Sequence, residues 1–254
     1  MSSKRGYEEI LEEVFSEGSI DLYGEAAPLF DLAYSGRDSM DRKEESARSN
    51  VEKGSDVLDL ACGTGIVAEL MDEDYNVTGA DISRDMLEVA KEKNLNSEFV
   101  QADMTDLPFY EEFDAVLMYG QPLSHITDRS KVQQAAESIY QSLKSDGFLV
   151  TDFFTPDTGE VDELGRVETR FDDNHRIAQT WNFSNYDSER NTWDARSTFW
   201  IERYNMMTNL EDRRQLRGYS MDEMREILSD AGFSTVEEEE IYPAEIYNGV
   251  KAFR

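Results

Sequence analysis

The chain has 254 residues, and 55 Asp and Glu stand against 25 Lys and Arg, so its formal net charge is −30. This length fits one α/β core with an insertion, and a hydrophobic content of 39% is enough for such a core. No apolar run approaches the ~20 residues of a membrane helix, and the N-terminus lacks the apolar region of a signal peptide. The single cysteine excludes an internal disulfide and fits a reducing compartment, so we expect a cytoplasmic protein without a membrane partner.

The negative charge is spread along the whole chain rather than gathered in a tail. Such a surface repels itself at low salt and becomes tolerable when screened, because the Debye length falls to ~3 Å at 1 M salt. We therefore expect a protein of a halophile, with an ordinary acidic protein as the alternative. The sequence has no cluster of Lys and Arg, which argues against a nucleic-acid partner, since phosphate backbones need a basic footprint.

The predicted elements begin with amphipathic helices at residues 5–17 and 38–52, on either side of an aromatic segment. Between residues 55 and 155, strand and helix patterns alternate, which predicts a parallel sheet with right-handed crossovers. The fold class is therefore α/β and doubly wound. The predicted strands lie near 56–60, 75–80, 97–101, 113–118 and 147–153.

The first of these strands runs directly into a glycine turn, Val57-Leu-Asp-Leu-Ala-Cys-Gly-Thr-Gly65. Gly63 and Gly65 lack a Cβ, so the backbone can turn tightly and a ligand can lie against it. Gly63-x-Gly65-x-x-Ala68 also satisfies the dinucleotide fingerprint, which by itself is weak evidence. Cys62 lies in this turn, where a small residue is needed, and we do not interpret it as a nucleophile.

Acidic residues at the ends of three successive strands distinguish between a dinucleotide site and another kind of nucleoside site. Asp59 lies within the first strand, where dinucleotide-binding strands are usually apolar, and Asp81 and Asp103 close the second and follow the third. Parallel sheets bind their ligands at this carboxyl edge. Asp81 can accept from both ribose hydroxyls, Asp103 can accept from an adenine amine, and Asp59 can face a cationic centre.

Beyond residue 160 the pattern changes to aromatic and β-branched residues. Segments 176–186 and 192–204 predict an antiparallel hairpin joined at 187–191, with a third strand near 213–219. Residues 219–254 then predict a helix, a strand near 235–240 and a final short strand near 250–254.

These motifs together resemble class I S-adenosylmethionine-dependent methyltransferases, over roughly residues 20 to 254. The resemblance rests on the glycine turn and on four further segments, at 80–90, 101–109, 113–119 and 219–233. It implies a mostly parallel, seven-stranded, Rossmann-like sheet with an inserted antiparallel sheet. It also implies four parts of the chain: a helical lid segment (1–50), a cofactor-binding core (51–158), an inserted sheet that covers the substrate or forms a dimer (159–218), and the C-terminal part of the core (219–254).

The resemblance implies S-adenosylmethionine as the cofactor. The residues that it assigns to the cofactor pocket, besides Asp59, Gly63, Gly65, Asp81 and Asp103, are Ala61, Ile82, Met86, Ala102, Met104, Met118 and Tyr119. No metal is expected, because two histidines and one cysteine cannot make a usual structural zinc site.

The segment after the fourth strand, Met118-Tyr-Gly-Gln-Pro-Leu-Ser-His-Ile126, resembles the Ser-Ser-Ile-Gly-His segment of amino-sugar N,N-dimethyltransferases. His125 matches the histidine of that segment. It is the candidate catalytic residue, as an acceptor of a proton from the substrate amine or hydroxyl, with a histidine that caps the next helix as the alternative. Gln121 and Pro122 stand where that segment has its two serines, so the chain departs there from the pattern of the group.

The segment from Leu22 to Tyr34 resembles the lid that folds over the cofactor in the same group. Tyr23 and Tyr34 are the lid candidates, with plain core packing as the alternative for each. Phe30 stands where the group usually has tyrosine. Arg37 is a candidate to meet the cofactor carboxylate, because the guanidinium fork suits that partner.

The expected function is transfer of a methyl group from S-adenosylmethionine to a small-molecule amine or hydroxyl, with nitrogen ranked before oxygen. N-methylation of glycine-type amines, which would make compatible solutes, ranks lower. The alternatives are a protein or RNA methyltransferase and a non-catalytic cofactor-binding protein. The inserted sheet suggests a homodimer.

Overall fold

A computed structural model describes residues 23–24, 27–31, 37–155, 167–171, 176–203, 206–241 and 247–254. Eleven strands lie within these residues, and their bounds are β1 (Asp56–Leu60), β2 (Asn76–Asp81), β3 (Glu98–Gln101), β4 (Phe113–Met118), β5 (Leu143–Phe154), β6 (Val167–Phe171), β7 (Arg176–Asp187), β8 (Thr192–Arg203), β9 (Met206–Arg217), β10 (Thr235–Glu239) and β11 (Tyr247–Phe253). The predicted helix at 5–17 lies outside the described residues.

Five α-helices and two 3₁₀ turns separate these strands in the described part of the chain. The helices are α1 (Arg37–Asn50), α2 (Ile66–Met71), α3 (Arg84–Glu92), α4 (Arg129–Ser142) and α5 (Met221–Ala231), and the 3₁₀ turns are Ala27–Leu29 and Pro122–His125. None of the described helices is both long enough and apolar enough to cross a membrane.

Seven strands form one sheet in the order β10-β11-β5-β4-β1-β2-β3. β1 to β5 pair in parallel, whereas β11 runs antiparallel to both β5 and β10. The prediction of a doubly wound, mostly parallel, seven-stranded sheet is confirmed. Because the parallel strands share one direction, the residues that end β1, β2 and β4 all reach the same edge.

Successive residues of the central strands enter opposite apolar layers, as the period of two in a strand requires. Leu58 of β1 and Val116 of β4 join a core cluster that contains the inner faces of α4 and α5. Val57 and Leu117 join the other cluster, which contains parts of α1 and α2. Both faces of the sheet are therefore covered, and the strands read as near-continuous apolar runs for this reason.

A second sheet contains four strands, in the order β6-β7-β8-β9. The predicted inserted antiparallel sheet is confirmed, with the hairpin of β7 and β8 and the third strand β9, and β6 adds a fourth strand at the edge. β9 is also longer than predicted, since it starts at Met206 and pairs along the whole length of β8. Its Asn209-Leu-Glu-Asp212 sequence has low strand propensity, and pairing with a long aromatic neighbour overrides that propensity.

Aromatic residues join the second sheet to the first. Phe154 at the end of β5 stacks on Phe183, with ring centroids 5.3 Å apart, and meets the Trp193 ring edge to face at 5.4 Å. The Tyr219 backbone N–H donates to the Phe154 carbonyl (2.9 Å), and its hydroxyl donates to the Ile126 carbonyl (2.8 Å). The second sheet is thereby anchored beside the carboxyl edge of the first.

Two lysines at the surface around the first sheet each contact two carboxylates. Lys144 Nζ lies 2.7 Å from Asp56 and 3.0 Å from Asp114, and Lys93 Nζ lies 2.8 Å from Asp31 and 2.9 Å from Glu69. With 55 acids for 25 cations in the sequence, most carboxylates still have no cation of their own. Repulsion among these acids opposes folding unless salt screens it.

This charge excess predicts that salt stabilises the fold. Raising KCl from about 0.1 M to about 2 M should raise the thermal unfolding midpoint by several degrees, because the repulsion is screened. Exposed pairs such as Lys144 with Asp56 lose strength with salt, but each contributes little. The measurement is a circular dichroism melt, with sorbitol at equal osmolality as the uncharged control. A midpoint that is flat or falls with KCl would contradict the halophilic interpretation.

Candidate active site

The glycine turn after β1 bends through left-handed backbone at three points. Ala61, Gly63 and Gly65 have φ of 58°, 55° and 74°, and Gly65 immediately precedes α2. A Cβ on Gly65 would lie 3.0 Å from the Phe99 ring, so this residue is glycine for both conformation and space. Cys62 is buried beneath the turn, and burial raises the pKa of its thiol well above the usual value. A buried, protonated thiol agrees with a packing role.

Asp59 of β1 is buried at 2% exposure and accepts a hydrogen bond from the Ala68 N–H (3.1 Å). Desolvation raises the pKa of Asp59 to about 7, although the Ala68 N–H and the charge of Lys43 act in the opposite direction. A carboxyl group with such a pKa gains most from a nearby cation, because a cation would favour its ionised form.

Asp81 holds the turn and the start of α3 together. Its Oδ2 accepts from the Gly63 N–H and its Oδ1 from the Ser83 N–H, both at 2.8 Å. Burial raises the pKa of Asp81, and the backbone donors offset part of this. Ser83 in turn caps α3, since its Oγ accepts from the Met86 N–H (3.2 Å). Each Asp81 oxygen keeps a lone pair for a further donor, which suits a ribose diol.

The neighbouring residues of the predicted nucleoside site differ in exposure. Ile82 is 67% exposed, whereas Met86 is fully buried. Ala102 follows β3 with its N–H on the Asp81 carbonyl (3.0 Å). Asp103 is exposed, and its Oδ1 accepts from both the N–H (2.9 Å) and the hydroxyl (2.8 Å) of Thr105, which lowers its pKa. Met104 is only partly buried and packs on the larger core cluster.

The loop after β4 is fixed by a second buried acid. Asp152 of β5 accepts from the N–H groups of Gly120 (2.8 Å) and Gln121 (3.1 Å), and the Gln121 side-chain amide also donates to it. Met118 ends β4 and Tyr119 follows it, both buried, and the Tyr119 hydroxyl donates to Ser46 Oγ (3.1 Å) on α1. Both side chains therefore pack inside the protein, beneath the carboxyl edge of the first sheet.

His125 ends the Pro122–His125 turn, and its imidazole is accessible to solvent although protein atoms surround it. Its Nδ1 lies 3.4 Å from Arg214 Nη1 on β9. Desolvation, followed by the charge of Arg214, lowers the pKa of His125 to about 3. The predicted alternative, a histidine that caps the following helix, is wrong: Asp128 caps α4 instead, through the Ser130 N–H (2.9 Å).

The described part of the predicted lid lies over the glycine turn. The Tyr23 carbonyl accepts from Ser83 Oγ (2.6 Å), and its ring meets Phe30 edge to face with centroids 5.4 Å apart. A Cβ on Gly63 would lie 3.8 Å from the Phe30 ring. Tyr34 lies outside the described residues. Arg37 begins α1, but its side chain is not among those that the structure describes. Its part in cofactor binding therefore stays a prediction.

Three residues of this region were missed by the sequence analysis. Desolvation lowers the pKa of the Lys43 amine on α1, and the charges of Asp152 and Asp59 act in the opposite direction. Asp152 is, like Asp59 and Asp81, an acid near the carboxyl end of a strand. The position of an acid within the apolar run Phe148–Phe154 could have identified it from the sequence. Arg214 approaches His125 from 89 residues away, and no local pattern marks such a contact.

The residues present fit S-adenosylmethionine. Asp81 offers oxygens to a ribose, the exposed apolar Ile82 offers a surface to an adenine ring, and the buried Asp59 suits a cationic amino group. Within the described residues, no group of three or more His, Cys, Asp or Glu could hold a metal ion.

Comparisons with known proteins agree with this geometry. A family model described as a methyltransferase domain matches residues 57–147. A relative from Geobacillus sp. (strain WCH70), itself named as a methyltransferase, is 31% identical over 191 residues, which are 71% of this chain and 74% of the relative. A Streptomyces fradiae dTDP-3-amino-3,6-dideoxy-alpha-D-glucopyranose N,N-dimethyltransferase is 30% identical over 166 residues, which are 59% of this chain and 65% of that one.

Solved structures share the fold across most of the chain. Streptomyces venezuelae DesVI superposes with a TM-score of 0.78 at 20% identity, over 89% of this chain and 97% of that one. A Micromonospora echinaspora amino pentose methyltransferase with bound S-adenosylmethionine gives 0.69 at 17% identity, over 89% and 96%. The chain belongs to the class I S-adenosylmethionine-dependent methyltransferases.

The raised pKa of Asp59 predicts that cofactor binding releases a proton. At about pH 6 the carboxyl group is mostly protonated, and a cationic amino group beside it favours the ionised form, so affinity should rise as the pH approaches about 7.5. Calorimetric titration of S-adenosylhomocysteine in two buffers of different ionisation enthalpy measures the proton count. Asp59→Asn is the matched control and should release none. Equal heats in both buffers for the wild type would contradict the prediction.

Asp81 is expected to dominate cofactor affinity. Asp81→Ala removes the predicted ribose acceptor and the hydrogen bond to the Gly63 N–H, so S-adenosylhomocysteine should bind about 100-fold more weakly. Asp103→Asn, at an exposed carboxylate on the same edge, should cost about tenfold at most. The same titration measures both variants, and circular dichroism checks that each is folded. Undiminished binding by a folded Asp81→Ala protein would remove this residue from the site.

Proposed function

We propose that the chain methylates the amine nitrogen of a small polar molecule, with an amino-deoxysugar as the preferred class and a hydroxyl oxygen as the second kind of acceptor atom. The observation that carries this proposal is the second sheet beside the carboxyl edge, which brings Arg214 to His125 and to the Tyr23 ring. The Streptomyces fradiae relative, whose name states an amino-sugar N,N-dimethyltransferase, supports the same class of acceptor.

The arrangement of polar and aromatic side chains favours a small acceptor over a polymer. Arg214 is paired with Asp212 on the face of β9 that meets the loop of His125. Aromatic side chains close one side of this region, where Phe154, Phe183 and Trp193 pack together. An RNA would meet a chain of net charge −30, which opposes phosphate binding.

Bound S-adenosylmethionine would supply an activated methyl group on a sulfonium, so the protein's task is to position the acceptor and exclude water. Asp81 would hold the ribose and Asp59 the amino group. Asp152 fixes the loop after β4, which limits how the acceptor can approach the edge. The acceptor amine must arrive unprotonated, because an ammonium nitrogen has no lone pair.

A screen of methyl acceptors tests the proposal. The purified protein in concentrated KCl is incubated with S-adenosylmethionine and, separately, with a nucleotide-linked 3-amino-3,6-dideoxyhexose, glycine, sarcosine, total RNA and a protein mixture. We expect S-adenosylhomocysteine and a mass gain of one or two methyl groups with the amino-deoxysugar.

The outcomes of the screen separate the alternatives. Glycine or sarcosine as the preferred acceptor would replace the sugar with the compatible-solute interpretation. Methylation of RNA or protein alone would overturn the small-molecule proposal. Asp81→Ala serves as the control for contaminating activity, since product formation must fall with cofactor binding.

A further inference from the structure

One contact between the two sheets bears on the chemistry of His125. Arg214 Nη1 lies 3.4 Å from His125 Nδ1, and the other guanidinium nitrogen donates to Asp212. The Arg214 guanidinium carbon lies 4.2 Å from the centre of the Tyr23 ring, so the group is held by an ion pair and an aromatic face at once. The Arg214 side chain is 21% exposed, which makes it a well-ordered partner for the imidazole.

The protonation rules of the two groups fix the direction of this contact. A guanidinium has only N–H donors and stays protonated at any pH that a protein tolerates. His125 Nδ1 must therefore be the acceptor, with a free lone pair. A neutral imidazole with an unprotonated Nδ1 carries its proton on Nε2.

We propose that Arg214 is a positioning residue that holds His125 as the neutral Nε2–H tautomer, so that His125 donates a hydrogen bond to an oxygen of the acceptor rather than taking its proton. This inference rests on the proposed function and refines it: the preferred acceptors carry a hydroxyl oxygen next to the amine. The general-base role that the sequence suggested for His125 is replaced by a donor role.

The surroundings of His125 agree with a neutral ring. Among the described residues, the charged or titratable groups of the elements around it are Arg214 and Asp212 on β9, Tyr23 over the guanidinium, Asp152 beneath the loop, and Tyr219, whose hydroxyl donates to the Ile126 carbonyl. Asp212 is engaged by Arg214, and Asp152 by Gly120 and Gln121. Desolvation and the Arg214 charge lower the pKa of His125 to about 3.

The methyl transfer balances without a base at this position. The lone pair of the neutral amine forms the new N–C bond while the C–S bond breaks and its electron pair stays on sulfur. The product is an alkylammonium ion, which gives its extra proton to water after release. His125 contributes orientation through Nε2–H and remains neutral throughout.

Nuclear magnetic resonance of the imidazole nitrogens tests the tautomer directly and needs no turnover. The sample is ¹⁵N-histidine-labelled protein with His175→Gln, so that His125 is the one histidine left. We expect an unprotonated Nδ1 and a protonated Nε2, with no titration between about pH 5 and pH 9. A ring that titrates near its usual pKa of about 6.5, or that carries its proton on Nδ1, would overturn the proposal.

Two arginines on the same strand supply the matched variants. Arg214→Met should mix the two tautomers and raise the pKa of His125 in part, because desolvation, the larger cause of the lowered pKa, remains. Arg213→Met, whose exposed side chain pairs with Glu211, should leave the nitrogen signals unchanged. An Arg214→Met spectrum identical to that of the wild type would show that Arg214 does not set the tautomer.

Kinetics with the acceptor found in the screen separate donor from base. His125→Gln keeps an N–H near the position of Nε2, whereas His125→Ala removes it. A donor role predicts that His125→Ala raises KM about tenfold for the hydroxylated acceptor and that His125→Gln brings KM most of the way back to the wild-type value. It also predicts that neither variant changes KM for an acceptor without the hydroxyl. A base role predicts a loss in kcat of about 10²-fold or more for both variants.

Failure of the proposed function and failure of this inference give different results. If no acceptor in the screen is methylated, the nitrogen spectrum still reports the tautomer that Arg214 imposes. If the amino-deoxysugar is methylated but both His125 variants lose kcat alike, the function stands and the donor role falls.

Discussion

The two hydrogen bonds that Asp81 accepts organise the rest of the site. One oxygen holds the Gly63 N–H of the turn after β1, and the other holds the Ser83 N–H at the start of α3. Ser83 then donates to the Tyr23 carbonyl, and Tyr23 lies under Arg214 of the second sheet. A single carboxylate at a strand end therefore connects the glycine turn, the start of α3, the segment of Tyr23 and the second sheet. The parallel strands make this possible because they bring their carboxyl ends to one edge.

Local patterns in the sequence were enough to predict the first sheet and part of its edge. Apolar runs such as Val57–Leu60 and Phe113–Met118 are buried on both faces and followed by glycine turns, so strand pattern and turn signal agree. The second sheet was harder, because most residues of β6 and of β9 are polar. Pairing with β8, rather than the intrinsic preference of β9, determines that strand.

The contacts that give the site its chemistry could not be read from local sequence. Arg214 and His125 are separated by 89 residues, and the charges of Asp59 and Asp152 act on Lys43 of α1 across the fold. Asp152 shares with Asp59 the position of an acid near the end of an apolar strand. It was missed because no glycine turn follows it in the sequence. The assignment of each predicted residue to the cofactor remains a prediction that binding measurements decide.

Cys62 gives the chain a built-in probe of the cofactor turn. It is the one cysteine in the sequence, it is buried beneath the turn, and its thiol pKa is raised, so reagents can reach a thiolate only when the turn opens. The rate at which a thiol reagent labels the native protein is therefore a measure of how often this segment opens. A ligand that closes the turn slows the labelling, which yields affinities without any added chromophore and without knowledge of the acceptor.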